Sequence, residues 1–129
     1  MTTDLSMLVW TTLLCAVMPM IYVFGELRAP GGVEWGLGNR DTPFELPPWA
    51  ARAKRAHLNL VENLLPFAVL VLVAHVSGKA NAMTALGATI FFCARLAYAV
   101  VYTAGIKVVR TVIFFVGVAG MLLILLQLL

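Results

Sequence analysis

Four long apolar stretches make up most of the chain, and three more polar segments separate them. The apolar stretches cover about residues 5–27, 48–77, 80–104 and 107–129. Each is long enough to cross a hydrocarbon core about 30 Å thick, which takes about 20 residues of α-helix. The pattern therefore predicts an all-α integral membrane protein with four transmembrane helices, numbered here as spans 1 to 4. Because two of the three connections are short, neighbouring spans should run antiparallel in an up-down four-helix bundle.

The composition indicates that lipid is the solvent of this protein. Of its 129 residues, 62% are hydrophobic and only 12% are charged, and its mean hydropathy is +0.96. A water-soluble domain carries about 25% charged residues. We expect a single transmembrane domain over residues 1–129. Span 1 is not expected to be a signal peptide, because its apolar stretch is too long and no basic segment precedes it.

The connection over residues 28–47 is the longest, and we expect it to be irregular rather than helical. Glycine and proline, which interrupt regular structure, recur along it; they are Pro30, Gly31, Gly32, Gly36, Gly38, Pro43 and Pro47. The segment Gly38-Asn39-Arg40-Asp41 is typical of a tight polar turn. Such a turn either simply closes a loop or forms a lid that contacts a ligand.

The positions of lysine and arginine predict the orientation in the membrane. In or beside the connection between spans 1 and 2 lie Arg28, Arg40, Arg52, Lys54 and Arg55, and beside the connection between spans 3 and 4 lie Lys107 and Arg110, whereas the opposite connection offers only Lys79. By the positive-inside rule, the first and third connections face the cytoplasm and both termini face the other side. The net charge of +3 reflects this topology. Nucleic-acid binding is not expected, because no basic patch forms on a soluble face.

Cysteine and histidine give no sign of redox or metal chemistry. Cys15 and Cys93 lie inside apolar spans, where we expect each thiol to behave as a small hydrophobe without a basic neighbour to ionise it. His57 and His75 have no second ligand at metal spacing, so no metal site is predicted. We expect His57 to be a packing or interfacial residue.

Spans 2 and 3 carry charges at depths where lipid should surround them. The uniformly apolar part of span 2, from Leu64 to Val76, covers only ~20 Å, so Glu62 lies below the membrane surface. Arg95 lies ~21 Å from the start of span 3 near Asn81, which is the depth of Glu62. A lone charge in mid-bilayer costs about 2.5–3.5 kcal/mol on insertion scales. We therefore expect Glu62 and Arg95 to pair.

Further polar residues share the helix faces of this acid and this base. With the acid and the base included, the sets are Arg55, Asn59 and Glu62 on span 2, Arg95, Tyr98 and Tyr102 on span 3, and Arg110 at the start of span 4. The spacings i, i+4, i+7 and i, i+3, i+7 place each set on one face. One interpretation is an ion pair with hydrogen bonds that only set helix register. The excess of cationic groups favours the other interpretation, a site for an anionic ligand.

These motifs resemble those of a known family. Residues 55–67, RAHLNLVENLLPF, are similar to the RAHxNxxE…PF signature of the membrane-associated proteins in eicosanoid and glutathione metabolism, the MAPEG family. Residues 95–102, RLAYAVVY, resemble the RxxYxxxY motif of its leukotriene-synthase-like members. The chain length, the four spans and the long first connection agree, so the resemblance, to a bacterial-type member, covers essentially the whole chain.

This resemblance implies a homotrimer in the bacterial inner or plasma membrane, with glutathione bound at each subunit boundary near the cytoplasmic side. The glutathione-binding residues that it implies are Arg28, Arg55, Asn59, Glu62, Arg95, Tyr98 and Tyr102. Of these, Arg28 is placed like an arginine that a neighbouring subunit contributes. Arg110 matches the arginine that stabilises the glutathione thiolate, and a guanidinium near a thiol does favour the thiolate form. Some members have a basic residue in place of Leu58 and a tyrosine in place of Phe114, and the spacing from Tyr102 to Arg110 differs among branches of the family.

The resemblance thus implies a glutathione S-transferase or glutathione-dependent peroxidase, acting on a lipophilic small molecule supplied by the bilayer. A non-catalytic lipid-binding or scaffold protein on the same fold is the alternative. A small four-helix multidrug exporter fits less well. That class needs a membrane-embedded acid in its first helix, and residues 5–24 contain none.

Overall fold

A computed structural model describes all of residues 1–129, and its regular structure is entirely helical. The helices in chain order are α1 (Thr3–Arg28), α2 (Gly32–Leu37), α3 (Pro48–Val76), α4 (Ala82–Ala104) and α5 (Lys107–Leu128). All but α2 are long and apolar enough to cross a membrane. The prediction of an all-α protein with four membrane-spanning helices is therefore confirmed.

The short helix α2 lies inside the connection that the sequence predicted to be irregular throughout, so that prediction was wrong. Gly31, with φ of 74°, precedes α2 in the left-handed conformation that glycine adopts without strain. The Trp35 ring stacks on Phe44 with centroids 5.2 Å apart, and its indole N–H donates to the carbonyl of Thr42. This packing within the loop stabilises a helical turn that the frequency of glycine and proline does not reveal.

Two clusters of buried side chains hold the long helices together. One surrounds Phe67 of α3 and Phe91 of α4, whose rings stack with centroids 4.0 Å apart. The other joins α1, α3 and α4 through the buried residues Met18, Ala56, Leu60 and Tyr98. Ala56 and Leu60 each follow a polar residue of α3 in the sequence, Arg55 and Asn59. The second cluster therefore determines how these polar residues are turned relative to α4.

Helices α4 and α5 approach each other very closely at Gly87 and Gly120. A Cβ atom added at Gly87 would lie 2.5 Å from the carbonyl oxygen of Gly120, and one added at Gly120 would lie 2.6 Å from that of Gly87. Small residues allow such approaches in lipid, where no hydrophobic force drives helices together. Gly117, one turn earlier on α5, faces the guanidinium of Arg95: a Cβ there would lie 3.2 Å from Nη2. The contact between α4 and α5 thus encloses Arg95.

An acid is also buried at the end of the bundle that holds the N-terminus. Asp4 in the first turn of α1 is only 2% exposed. Its Oδ2 accepts a hydrogen bond of 3.3 Å from the hydroxyl of Thr84 on α4. Its Oδ1 accepts a hydrogen bond from the backbone N–H of Leu5. This contact ties the start of α1 to the start of α4.

Candidate functional site

Arg95 is a fully buried cation that α3 holds through two amide side chains. The Arg95 side chain is only 2% exposed. Its Nη1 donates to Oδ1 of Asn59 at 2.9 Å, and its Nη2 donates to Oδ1 of Asn63 at 3.3 Å. The Asn63 Nδ2 donates to the backbone carbonyl of Asn59 at 2.8 Å, which orients the Asn63 amide. Both acceptors therefore face α4.

Glu62 does not pair with Arg95, so this part of the sequence prediction was wrong. The Glu62 side chain is exposed in the single chain, and the only ion pair joins Arg40 to Glu26 at 4.0 Å. The depth estimate placed Glu62 and Arg95 at the same level, but successive residues of a helix are rotated by about 100°. This rotation turns Asn63 toward α4 and Glu62 away from it.

Aromatic rings surround the guanidinium of Arg95 on the sides that the asparagines leave free. Its Cζ lies 5.0 Å from the ring centroids of both Phe91 and Phe114, and 5.8 Å from that of Tyr98. Ring faces attract a cation, and the attraction increases where water is excluded. The Nε atom has no hydrogen-bond partner. The positive charge of Arg95 is thus held by neutral groups and is not neutralised.

Tyr102 lies between two more arginines near the other end of α4. The Cζ atom of Arg110 on α5 lies 4.4 Å from the Tyr102 ring centroid, and that of Arg55 on α3 lies 5.9 Å from it. The Tyr102 ring packs edge-on against Tyr98, with centroids 5.4 Å apart. Tyr98 in turn contacts Arg95. The three arginines and the two tyrosines thus form one continuous group, which we call the arginine–tyrosine cluster.

The arginine–tyrosine cluster has an excess of positive charge. None of its three arginines has a carboxylate within ion-pair distance in the chain. Charges inside membrane-spanning helices are expensive unless a partner offsets them. Arg55 and Glu62 are both exposed and seven residues apart on α3, hence on the same side of that helix. This outer side of α3 therefore presents one cation and one anion, two helical turns apart.

The structure brings together most, but not all, of the residues singled out in the sequence. Those that meet are Arg55, Asn59, Arg95, Tyr98, Tyr102 and Arg110. Glu62 points outward, as described above. Arg28 is exposed at the end of α1, with its Cζ 4.4 Å from the Phe24 ring centroid, and it contacts no member of the cluster.

Two residues that the sequence pattern did not single out also shape the site. Asn63 accepts a hydrogen bond from Arg95, as Asn59 does. The sequence signal for this role is the spacing of four residues between the two asparagines, which places both on one face of α3. Arg52 donates from Nε to the carbonyl of Thr103 at 3.0 Å. It thereby attaches the start of α3 to the last turn of α4, next to Tyr102.

Cys15 has a basic neighbour, contrary to the sequence prediction. Its Sγ lies 3.7 Å from Nε2 of His57, and Nδ1 of the same ring lies 3.1 Å from Oη of Tyr22. His57 thus packs between α3 and α1, as expected, and it also contacts a thiol there. The proximity to Cys15 was not visible in the sequence because 42 residues separate the two positions.

An apolar groove of about 420 Å³ lies between α1 and α4. Thr103 is its only residue that is not hydrophobic; the others are Leu14, Met18, Ile21, Leu96, Ala99, Val100 and Ala104. Met18, Leu14 and Ala99 belong to the side-chain cluster that includes Tyr98. A single layer of side chains therefore separates this groove from the tyrosines.

The family model described as MAPEG family matches residues 7–129, a range that includes every residue of the arginine–tyrosine cluster. No curated protein and no solved structure matches the chain significantly.

Proposed function

Because the chain belongs to the MAPEG family, whose members include glutathione transferases and peroxidases, we propose that it is a membrane-bound glutathione-dependent transferase or peroxidase acting on lipophilic electrophiles. The observation that carries this proposal is the arginine–tyrosine cluster, in which Arg55, Arg95 and Arg110 have no carboxylate partner. Glutathione carries two carboxylates and one amine, so it offsets this excess of charge.

The accessibility of each residue supports a specific role. Arg55 is exposed and Arg110 is half-buried, so both can reach an anionic ligand directly. Glu62, exposed on the same side of α3 as Arg55, suits the amine of glutathione. Arg95 is too deeply buried to meet the peptide. It contributes its positive charge and holds the Asn59 side chain in place.

The chemical step in this proposal depends on the guanidinium of Arg110. A thiol with a pKa near 8.5 is mostly protonated at neutral pH, and a guanidinium in a medium of low dielectric favours the thiolate. In transfer, the thiolate attacks an electrophilic carbon, the C–S bond forms and the leaving group departs. In peroxide reduction, the thiolate bonds to the terminal hydroxyl oxygen, the O–O bond breaks, and the departing alkoxide takes a proton from water and leaves as an alcohol. A second glutathione then reduces the sulfenic acid to a disulfide and water.

The apolar groove between α1 and α4 is suited to the lipophilic substrate. Its walls offer one hydroxyl and otherwise hydrocarbon, which matches molecules that partition into lipid and diffuse laterally to the protein. Because the groove lies one side-chain layer from Tyr98, a small displacement of that layer would connect the substrate with the thiolate.

The proposal includes assembly into a homotrimer with glutathione between subunits. Arg55, Glu62 and Arg28 are exposed in the single chain, as residues that meet a ligand at a subunit boundary must be. We also propose that residues 28–47 and the connection between α4 and α5 face the cytoplasm, with both termini on the opposite side, because the lysines and arginines concentrate there.

A turnover assay with matched arginine and lysine variants tests the proposal. Purified protein is titrated calorimetrically with glutathione, and conjugation to a chlorodinitrobenzene and reduction of a lipid hydroperoxide are followed. Arg110→Ala should lower kcat by about 10²–10³-fold, the usual effect of losing one charge-stabilising donor, with a much smaller change in glutathione affinity. Lys107→Ala removes a charge from the same first turn of α5 and should leave kcat unchanged. Full turnover in Arg110→Ala would contradict the proposed mechanism.

A non-catalytic lipid-binding or scaffold function is the second candidate, and the almost wholly apolar groove favours it. The same experiment separates the two. Glutathione-independent binding of a fluorescent fatty acid, without turnover of either substrate, would support this second function over the first.

A further inference from the structure

Three side chains form a second polar group, on the opposite side of α3 from the arginines. Cys15 and Tyr22 come from α1, two turns apart, and His57 from α3 lies between them. The Sγ atom of Cys15 is 3.7 Å from Nε2 of His57, and the Oη atom of Tyr22 is 3.1 Å from Nδ1. Both ring nitrogens of the histidine are therefore engaged. We call these residues the Cys15–His57–Tyr22 group.

One of the two neutral tautomers of His57 provides a proton acceptor for the thiol. When Nδ1 carries the imidazole proton and donates to Tyr22, the lone pair of Nε2 faces Sγ and can accept the thiol proton. A thiol in contact with a histidine base that a third group orients is the usual arrangement of an activated cysteine nucleophile. Tyr22 acts here as a positioning residue, since it touches only the imidazole.

The location of Cys15 determines which reagents can reach it. The residue lies ~18 Å along α1 from Thr3, in the middle of a membrane-spanning helix, and it is half-buried rather than enclosed. A reagent must therefore arrive through the lipid. The second cysteine of the chain, Cys93, is exposed on α4 and has no histidine within hydrogen-bond distance.

We propose that Cys15 is a second nucleophile, which reacts covalently with lipid-soluble α,β-unsaturated carbonyl compounds without glutathione. The thiol proton moves to Nε2 of His57 while the sulfur electron pair bonds to the β-carbon. The electrons of the C=C bond shift onto the carbonyl and form an enolate. His57 then returns the proton to the α-carbon, which leaves a saturated thioether and a neutral imidazole. Nothing is oxidised or reduced, and no group leaves.

The bilayer favours this addition over a substitution. A substitution at Cys15 would release a charged leaving group into a medium where an isolated ion is strongly disfavoured. The addition uses the same proton twice and ends with neutral products. Its only charged intermediates, imidazolium and enolate, form side by side and offset each other.

The two cysteines provide a matched comparison in full-length protein. Cys93→Ser keeps only Cys15, and Cys15→Ser keeps only Cys93. Each is incubated in lipid vesicles with trans-2-nonenal, without glutathione, and adduct formation is followed by intact-protein mass spectrometry. We expect Cys93→Ser to react about 10²-fold faster than Cys15→Ser, because only Cys15 has a base in contact and a positioned general base contributes about 10²-fold or more. Adding His57→Gln to Cys93→Ser should remove this advantage. Glutamine keeps the size and hydrogen bonding of histidine but is not a base.

Equal rates at the two cysteines, or a rate at Cys15 that survives His57→Gln, would overturn the proposal. The first comparison leaves His57 intact, so it remains decisive if the His57 variant fails to fold. Far-ultraviolet circular dichroism during heating identifies such a failure. Cys15→Ser should also keep wild-type glutathione binding and conjugation, which distinguishes a failure of this inference from a failure of the proposed glutathione chemistry.

Discussion

The guanidinium of Arg95 on α4 donates a hydrogen bond of 2.9 Å to the side-chain oxygen of Asn59 on α3. The acceptor is a neutral amide, so the bond satisfies the guanidinium without cancelling its charge. A carboxylate in the same place would have neutralised Arg95 and weakened the attraction for an anionic ligand. The choice of asparagine therefore serves the helix contact and preserves the positive potential of the site.

The bond between Asn59 and Arg95 should contribute measurably to stability. Asn59→Ala removes the acceptor of Nη1 and leaves part of a buried cation without a partner, so the free energy of unfolding should fall by about 1–3 kcal/mol. Thermal melting in detergent, followed by circular dichroism, measures the change. Asn39→Ala, in the exposed loop, is the control and should melt with the wild type. If Asn59→Ala melts at the same temperature as the wild type and Asn39→Ala, this hydrogen bond adds no stability.

Tyr102 should act separately through its ring and through its hydroxyl. Tyr102→Leu removes the ring that Arg55 and Arg110 approach, with a loss of about 0.5–2 kcal/mol of cation–π interaction, so it should lower both stability and glutathione affinity. Tyr102→Phe keeps the ring and should lower only glutathione affinity, measured by calorimetric titration. If Tyr102→Phe binds glutathione as the wild type does, the hydroxyl does not contact the peptide.

A site shared between subunits predicts complementation between two inactive variants. Arg28→Ala and Arg110→Ala should each be nearly inactive as pure assemblies. Each site takes Arg110 from one subunit and Arg28 from its neighbour. When the two variants are co-expressed and assemble at random, both arginines are therefore intact in about a quarter of the sites. Conjugation activity should then rise well above that of either variant alone. Mixing the two after separate purification, without subunit exchange, is the control and should restore nothing.

Differently tagged subunits show whether mixed assemblies have formed. If they have formed and conjugation activity still does not recover, Arg28 lies outside the shared site. Activity of the pure Arg28→Ala assembly equal to that of the wild type would lead to the same conclusion.

The close approach of α4 and α5 predicts that Gly120 tolerates no side chain. In Gly120→Ala the new Cβ would lie 2.6 Å from the carbonyl oxygen of Gly87, so the helices must separate, and overpacking of this kind costs about 1–3 kcal/mol. Unfolding in mixed detergent micelles measures this loss. Ala119→Leu adds more volume at the preceding position, but on an exposed face, and should change stability little. Equal stability of Gly120→Ala and the wild type would refute the tight crossing.

The spans and the depths of the charged residues could be predicted from the sequence because both follow from distance along a helix axis. Apolar length gave four membrane-spanning helices, and a rise of 1.5 Å per residue placed Glu62 and Arg95 at one level. The same reasoning did not predict the direction in which each side chain points. Neighbouring residues of a helix are rotated by about 100°, and this rotation decides whether Glu62 or Asn63 contacts Arg95. Depth depends only on residue number, whereas rotation depends on how the helices pack.

By itself, then, the sequence determined the helical class, the family and the set of polar residues, because hydropathy and spacing along one chain carry that information. Only the tertiary structure decided which of those residues meet. It replaced the expected carboxylate partner of Arg95 with two amides, placed Tyr102 between Arg55 and Arg110, and brought His57 against Cys15. Such contacts join residues on different helices. Their geometry depends on how closely the helices approach at residues without a side chain, such as Gly87, Gly117 and Gly120, and no periodicity in the sequence encodes this approach.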